Sequence, residues 1–495
     1  MTKKSLSLLA FICSIITLTA QKRTIPADTT VVTTHTTTIN GAKINYTATT
    51  GTQPVWDEDG LPKATLFYTY YKRTNTSDKN RPLLLSFNGG PGSASVWMHL
   101  AYTGPSILNI DDEGYPVQPY GYQSNPYSIL DVADIVFINP VNTGYSRIVE
   151  REGKKVNRAD FFGVNADIKY LAEWLNTFVT RNNLWSSPKY LIGESYGGTR
   201  VSGLALELQN SQWMYLNGVI LVSPADYNAK NSDQAVSSSI DFPYFTAAAW
   251  YHKMLDPALQ NKDLDAILPE SENFAINVLM PALAKGGFIN QQEKERIAEK
   301  MAYYTGISKK VILQHNLEIP NSFFWKELLR NKTGQTIGRL DSRYLGIDKK
   351  EAGVSPEYNA ELTSWLHSFT PAINKYIQEF LNFKTDIKYN MFGPVHPWNW
   401  DNNTTRDDLR KAMTANPYLN LLFQAGYYDG ATTYFNTKYT MWQIDPSGKL
   451  KDRMNFKGYR SGHMMYLRRA DLKTANDDIR TFIKKSAANG KAAKY

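Results

Sequence analysis

The chain has 495 residues, 42% of them hydrophobic, enough for a large core and more than one structural unit. Its formal charge is +9, but the basic residues are scattered apart from a tail at Lys484, Lys485, Lys491 and Lys494, whereas nucleic-acid binding needs a clustered basic face. The single cysteine, Cys13, lies so near the N-terminus that cysteine nucleophiles, thiolate metal sites and redox chemistry are excluded from the rest of the chain.

Residues 1–20 read as a secretory signal. Lys3 and Lys4 are followed by an apolar run over 6–18 and by the small Ala20 at the expected cleavage point. The run is shorter than the roughly 20 residues a spanning helix needs, so no membrane span is expected after signal removal. The residues before Cys13 are Ala10, Phe11 and Ile12, not the small residues of a lipoprotein signal. The expected destination is export, to a periplasm or outside the cell. Residues 21–35 are Thr-rich and read as a loose lead-in.

A hairpin is expected around Asn40-Gly41, a strong two-residue turn signal, with strands over 35–39 and 43–49. Asp59-Gly60 leads into another strand over 64–71. The runs at 81–87 and 134–139 are continuously apolar, as strands buried on both faces are. A helix is predicted over 161–181, with Ile168, Leu171, Trp174, Leu175 and Phe178 on one face. Strands at 189–192 and 219–222 complete an alternation that argues for a parallel α/β sheet. From about 236 to 412 helical patterns dominate, including a helix start at Asn290 with Glu293 and a helical run over 365–381. The sheet pattern resumes with a strand at 421–424 and a closing helix at 472–483. The expected organisation is a core in two parts, 21–235 and 413–495, interrupted by a helical cap at 236–412.

The strongest local signal is Gly193-Glu194-Ser195-Tyr196-Gly197-Gly198, placed after a strand and before a helix. It fits G-x-S-x-G, in which a sharp turn projects the serine hydroxyl above the sheet. Serine needs a base, and the base needs an orienting carboxylate. In this fold the order is Ser, acid, His. Of seven histidines, two precede Ser195 and four lie in the helical region, which leaves His463. Asp429, just after the strand at 421–424, is the expected acid. Two backbone donors for an oxyanion are expected from Tyr196 and from the glycine-rich loop at 88–92. There is no H-E-x-x-H and no P-loop, and no metal or other cofactor is expected.

Together these residues give the chain a resemblance to the serine carboxypeptidase family within the α/β-hydrolases, as a secreted bacterial member. The match rests on Asn88-Gly89-Gly90-Pro91-Gly92-Ser93, on Gly193 to Gly198, on the Asp429 region and on Gly462-His463-Met464. Gly104-Pro105 with Asn125-Pro126-Tyr127-Ser128, and Val141-Asn142-Thr143-Gly144-Tyr145-Ser146, agree with it. The resemblance covers about residues 36–485 but matches nothing in the helical insertion. It implies an α/β-hydrolase fold with a mostly parallel sheet and a helical cap, and a carboxypeptidase acting on peptides.

The roles it implies are Ser195, Asp429 and His463 as triad, Gly90 and Tyr196 as oxyanion donors, and Asn88, Gly89 and Glu194 as a clamp on the substrate carboxylate. A carboxyl facing a carboxylate must share a proton. Where the family has a second glutamate this chain has Tyr102, a phenol that could donate to a carboxylate without acid. The family's cysteine after Pro-Gly is Ser93. Met464 and the tryptophans at 398 and 400 are candidate wall residues, with core packing as the alternative. An esterase, amidase or acyltransferase with the same triad is the competing reading, and a non-catalytic binding protein is a third.

Overall fold

The structure is a computed structural model that describes residues 23–151, 156–225, 234–487, 490, 492 and 493. The signal reading lies outside the described residues. The hairpin forms where Asn40-Gly41 stands: both residues take positive φ, 47° and 79°, the mirror-image turn that matches strand twist. Its strands are longer than expected, β1 over Thr29–Ile39 and β2 over Ala42–Trp56. From Thr29 onward the Thr-rich stretch is therefore an edge strand rather than a loose lead-in. β-branched threonines suit a half-exposed strand, and β1 alternates between exposed and partly buried positions.

After β3 (Pro62–Arg73) the chain enters the buried strands: β4 (Leu83–Phe87), β5 (Asp134–Ile138), β6 (Lys189–Glu194), β7 (Gly218–Val222), β8 (Asn420–Gly426) and β9 (Met454–Tyr459). They lie in the order β1-β2-β3-β5-β4-β6-β7-β8-β9, with the short strand Arg147–Ile148 paired to β3. Pairing is antiparallel through β3–β5 and parallel from β5 to β9. This is the α/β-hydrolase arrangement. β9 carries a polar pattern, Met-Asn-Phe-Lys-Gly-Tyr, and gives no strand signal in sequence because it is an edge.

Side chains alternate between two cores. Leu83, Leu85 and Phe87 pack with Leu171 and Leu175 of α1 (Val164–Arg181) and with Val201 and Leu204 of α2 (Tyr196–Ser211). Leu84, Ile135 and Ile192 face the other way, onto Ile479 and Phe482 of the closing helix Arg469–Ser486. Two-sided burial is why these strands read as continuous apolar runs.

The helical region divides between cores. Helices from Gln234–Tyr251 to Asn321–Glu327 build a third cluster that meets the sheet through Ala425 and Tyr428. The helix Ala360–Lys375 instead joins the second face through Trp365, Phe369 and Ile373. Asn290 caps its helix as expected, accepting from Glu293 N at 2.9 Å.

Register aligns the strand ends that matter. Phe87 pairs with Gly193, Val222 with both Glu194 and Gln424, and Gly426 with Tyr459. The segments leaving these ends carry Asn88, Ser195, Asp429 and His463. All four therefore emerge at the carboxyl edge, where open α/β sheets bind ligands.

Candidate active site

β6 runs into α2 without a spacer, and Ser195 takes up the reversal at φ 59°, ψ −126°. A non-glycine residue there costs of order 1–3 kcal/mol and persists only if its surroundings hold it. They do: Ser195 N donates to Val222 O at 3.0 Å, while its carbonyl accepts from Gly198 N at 2.9 Å and Ala225 N at 3.0 Å. Gly193 is required by close packing, since a Cβ on it would lie 2.1 Å from Gly197 O.

The loop after β4 presses against the same turn. A Cβ on Gly89 would stand 2.5 Å from Tyr196 N and 2.6 Å from Glu194 O, so only glycine lets the two backbones meet. Beneath them, buried Arg200 pairs with Asp167 at 2.6 Å and donates to Asn88 O. One cation thus ties the first turn of α2 to the glycine-rich loop. Tyr196 N begins α2, at the positive end of the helix dipole.

Asp429 and His463 meet as expected. His463 Nδ1 lies 2.7 Å from Asp429 Oδ2, and Asp429 is 0% exposed. The aspartate is fixed by its own loop: Ala431 N and Thr432 N donate to Oδ1 at 2.8 and 3.1 Å, and Thr432 Oγ1 donates to Oδ2 at 2.6 Å. An acceptor so placed holds a proton on Nδ1 and leaves Nε2 to work as a base. Burial opposes charge on His463, but Asp429, by charge and hydrogen bond, together with Glu194, outweighs it and raises the imidazole pKa above its ordinary value.

Glu194 is 3% exposed. It accepts from Tyr466 OH at 2.6 Å and from Asn88 Nδ2. Burial, reinforced by Asp429 and opposed by His463 and both donors, pushes its pKa up to about 7. The carboxyl is therefore largely protonated in mild acid.

A cavity of ≈ 210 Å³ joins these groups. Gly89, Gly90, Glu194, Ser195, His463 and Met464 all line it. Asn88 stands behind it, reaching Glu194. Tyr102 does not enter: its hydroxyl donates to Gln424 Oε1 at 2.6 Å, and its ring stacks on Tyr466 at 4.6 Å. Its expected contact with substrate is thus corrected to a supporting one, because Gln424, held in turn by Tyr459, offers a fully buried partner. Trp398 and Trp400 are not in the lining either; they pack edge-on against the Tyr196 ring at 5.3 and 5.6 Å.

Sequence reasoning missed Tyr466, whose only signal was its place three residues beyond His463. It also missed the helical region's share. Arg339, Leu340, Leu362 and Trp365 line the cavity beside Trp97 and Phe392. The stretch 338–343 straps the loops of Asp429 and His463: Arg339 O accepts from Gly430 N at 2.9 Å, Leu340 O from His463 N at 2.6 Å, and Ser342 N donates to Tyr428 O at 2.9 Å. Among the described residues no cluster suited to a metal ion occurs.

Serine carboxypeptidase-like 16 of Arabidopsis thaliana is 31% identical over 181 residues, 35% of this chain and 38% of its own length. The vitellogenic carboxypeptidase of Aedes aegypti is 29% identical over 154 residues, 31% of this chain and 30% of its own. The matched stretches thus cover little more than a third of these relatives. Among solved structures, the proline iminopeptidase of Mycobacterium smegmatis is 12% identical, with a TM-score of 0.37 over 88% of this chain and 98% of its own, a likeness from which nothing is argued. The family model described as serine carboxypeptidase matches residues 56–468, and with most of its length so matched the chain belongs to the serine carboxypeptidase family.

Proposed function

We propose that this protein is a serine-type carboxypeptidase that releases C-terminal amino acids from peptides through an acyl-enzyme. One observation carries the reading: a protonatable, buried carboxyl, Glu194, lines the same cavity as Ser195 and His463. A neutral ester offers no carboxylate for a carboxyl beside the nucleophile to hold. An enzyme that must seat a terminal carboxylate gains a donor, provided the proton is shared.

In this mechanism Ser195 Oγ attacks the last peptide carbonyl while His463 Nε2 takes its proton. The N–H groups of Gly90 and Tyr196 hold the oxyanion. The C–N bond breaks as His463 returns the proton to the leaving amino acid. Water, deprotonated by His463, then cleaves the ester and restores Ser195. Asp429 holds the imidazolium without taking its proton. Asn88, Gly89 and Glu194 form the carboxylate clamp, and Met464 is a wall of the pocket.

We further propose that the chain is exported, periplasmic or secreted, from the basic, apolar and small residues at 3–20. Among the described residues no helix is long and apolar enough to cross a membrane. The sheet core in two parts with a helical cap between them is the organisation we adopt.

Paired peptides with a free or an amidated C-terminus, offered across pH 4 to 8 to the wild type and Ser195→Ala, test the function. Stepwise loss of single residues from the free acid alone is expected. Equal turnover of both peptides removes the clamp. It would favour the esterase, amidase or acyltransferase reading, which the absence of Tyr102 from the cavity keeps in view.

A further inference from the structure

Arg339 is the odd member of the cavity. The other ionisable groups in the lining are Glu194 and His463, and each has its partners. Arg339 is exposed at the rim, and among the described residues its guanidinium has no ion-pair or hydrogen-bond partner. The arginines deeper in the molecule are used differently: Arg81 is committed to Asp134, Arg200 to Asp167, Arg343 to Asp341 and Arg480 to Asp131.

The side chain springs from fixed backbone. Gly338 N donates to Tyr344 O at 2.9 Å, and the carbonyls of Arg339 and Leu340 are taken by Gly430 and His463. Among the described residues no side chain holds the cation by a hydrogen bond or an ion pair. Both oxygens of Glu194 are occupied, by Asn88 and Tyr466. Glu361, the acid nearest to Arg339, is buried behind the same strap: its Oε1 accepts from Leu340 N at 2.8 Å, its Oε2 has no hydrogen-bond partner among the described residues, and Arg339 acts on it through charge alone while burial holds its pKa up at about 7. Trp97, Leu362, Trp365 and Phe392 in the same lining are largely apolar. A carboxylate entering this cavity would lose water against them and gain a planar, two-pronged donor in Arg339.

We propose that Arg339 is a specificity residue that selects peptides carrying an aspartate or glutamate side chain beside the scissile bond, at the last or the penultimate position. The inference rests on the carboxypeptidase reading and names its substrate class. The α-carboxylate remains with Asn88, Gly89 and Glu194, so the substrate brings two negative groups to two separate holders.

The test compares peptides ending Ala-Glu, Ala-Gln, Glu-Ala and Gln-Ala on the wild type, Arg339→Gln and Arg339→Glu. The wild type should prefer Glu over Gln at one of the two positions by about 10-fold or more in kcat/KM, the worth of one charge-assisted hydrogen bond. Arg339→Gln should collapse that ratio towards one, and Arg339→Glu should invert it in favour of Gln. Equal handling of Glu and Gln by the wild type, or a ratio unchanged in Arg339→Gln, overturns the proposal. A second readout separates it from the reading beneath it. N-acyl-Glu and N-acyl-Gln compete with a fluorophosphonate for labelling of Ser195. If no peptide is cleaved, the carboxypeptidase reading fails. Better protection by N-acyl-Glu, lost in Arg339→Gln, would then still support Arg339 as a carboxylate holder, and equal protection would refute it.

Discussion

Two regions build the site by different means. The sheet contributes side chains from the carboxyl ends of neighbouring strands, each delivered by a short local motif: the turn at Ser195, the glycine loop at 88–92, the Asx-like loop at Asp429. The helical region contributes backbone to the loops of Asp429 and His463, through the carbonyls of Arg339 and Leu340 and the amide of Ser342, and side chains to the cavity wall. The first kind of contribution is written in residue identity. The second depends on where a loop lands, and almost any residue could supply it. The comparison teaches that the chemistry sits on the sheet, while the alignment of acid and base loops is shared with a region that carries no recognisable motif.

The sharpest way to break this division is at the sheet. Ser195→Ala should lower kcat/KM by about 10⁴-fold or more while leaving the melting temperature near that of the wild type. Asp429→Asn should cost about 10³–10⁴-fold in kcat by misdirecting the imidazole tautomer. A loss under 10-fold in either variant, read by steady-state kinetics on a free-acid peptide, would take that residue out of the triad.

The strap is tested by stability as well as by rate. Asp341 and Arg343 form a buried pair at 2.6 Å, and Arg343 also donates to Ser461 Oγ beside the His463 loop. Arg343→Met leaves a buried carboxylate unpaired and should cost about 3–5 kcal/mol in denaturant unfolding. A fall in kcat in the surviving folded fraction would show that strap and base loop are coupled. An unchanged kcat would make the strap purely structural.

Glu194 sharpens the comparison through pH. Its pKa is raised from 4.5 to about 7, so its burial costs nothing below the unfolded value. Stability is then lost as pH rises through about 7, by up to about 3 kcal/mol. Glu194→Gln should therefore gain on the wild type at pH 8 relative to pH 4.5. Glu361, also pushed up to about 7, keeps part of the slope in both proteins. Because Glu194 helps to raise the His463 pKa, the same variant should move the acid limb of ester hydrolysis to lower pH. Loss of the alkaline limb for free-acid peptides should accompany it. Identical pH–rate profiles in variant and wild type would contradict the role given to Glu194.

The smallest effect is expected at Tyr102. Tyr102→Phe removes one buried hydrogen bond, to Gln424, and should cost about 1 kcal/mol in stability with little change in the pH profile. A large change in KM for free-acid peptides would return Tyr102 to the substrate.

Much of this was legible in the sequence. The apolar strands, the Asn40-Gly41 turn and the helix over 161–181 follow from periodicity and turn chemistry, which are local. Glu194, Ser195, Asp429 and His463 stand where their motifs put them. What escaped detection was non-local or featureless. The strand Met454–Tyr459 is an edge with a polar pattern, and Thr29, Thr30, Thr33 and Thr34 pair with β2 although their composition suggests a loop. Tyr102 misled because its sequence neighbours match the family while its hydroxyl is claimed by Gln424, more than 300 positions away. Arg339 and Leu340 have no motif, and only the fold brings them to His463.

The account stands or falls on the acyl-enzyme. A free-acid peptide mixed with the protein is quenched in acid within the first turnovers, and the covalent adduct is mapped by mass spectrometry. The prediction is an adduct on Ser195 that adds the mass of the peptide lacking its last residue, less one water. An adduct on another residue, or peptide cleavage at internal bonds with no such intermediate, would contradict it.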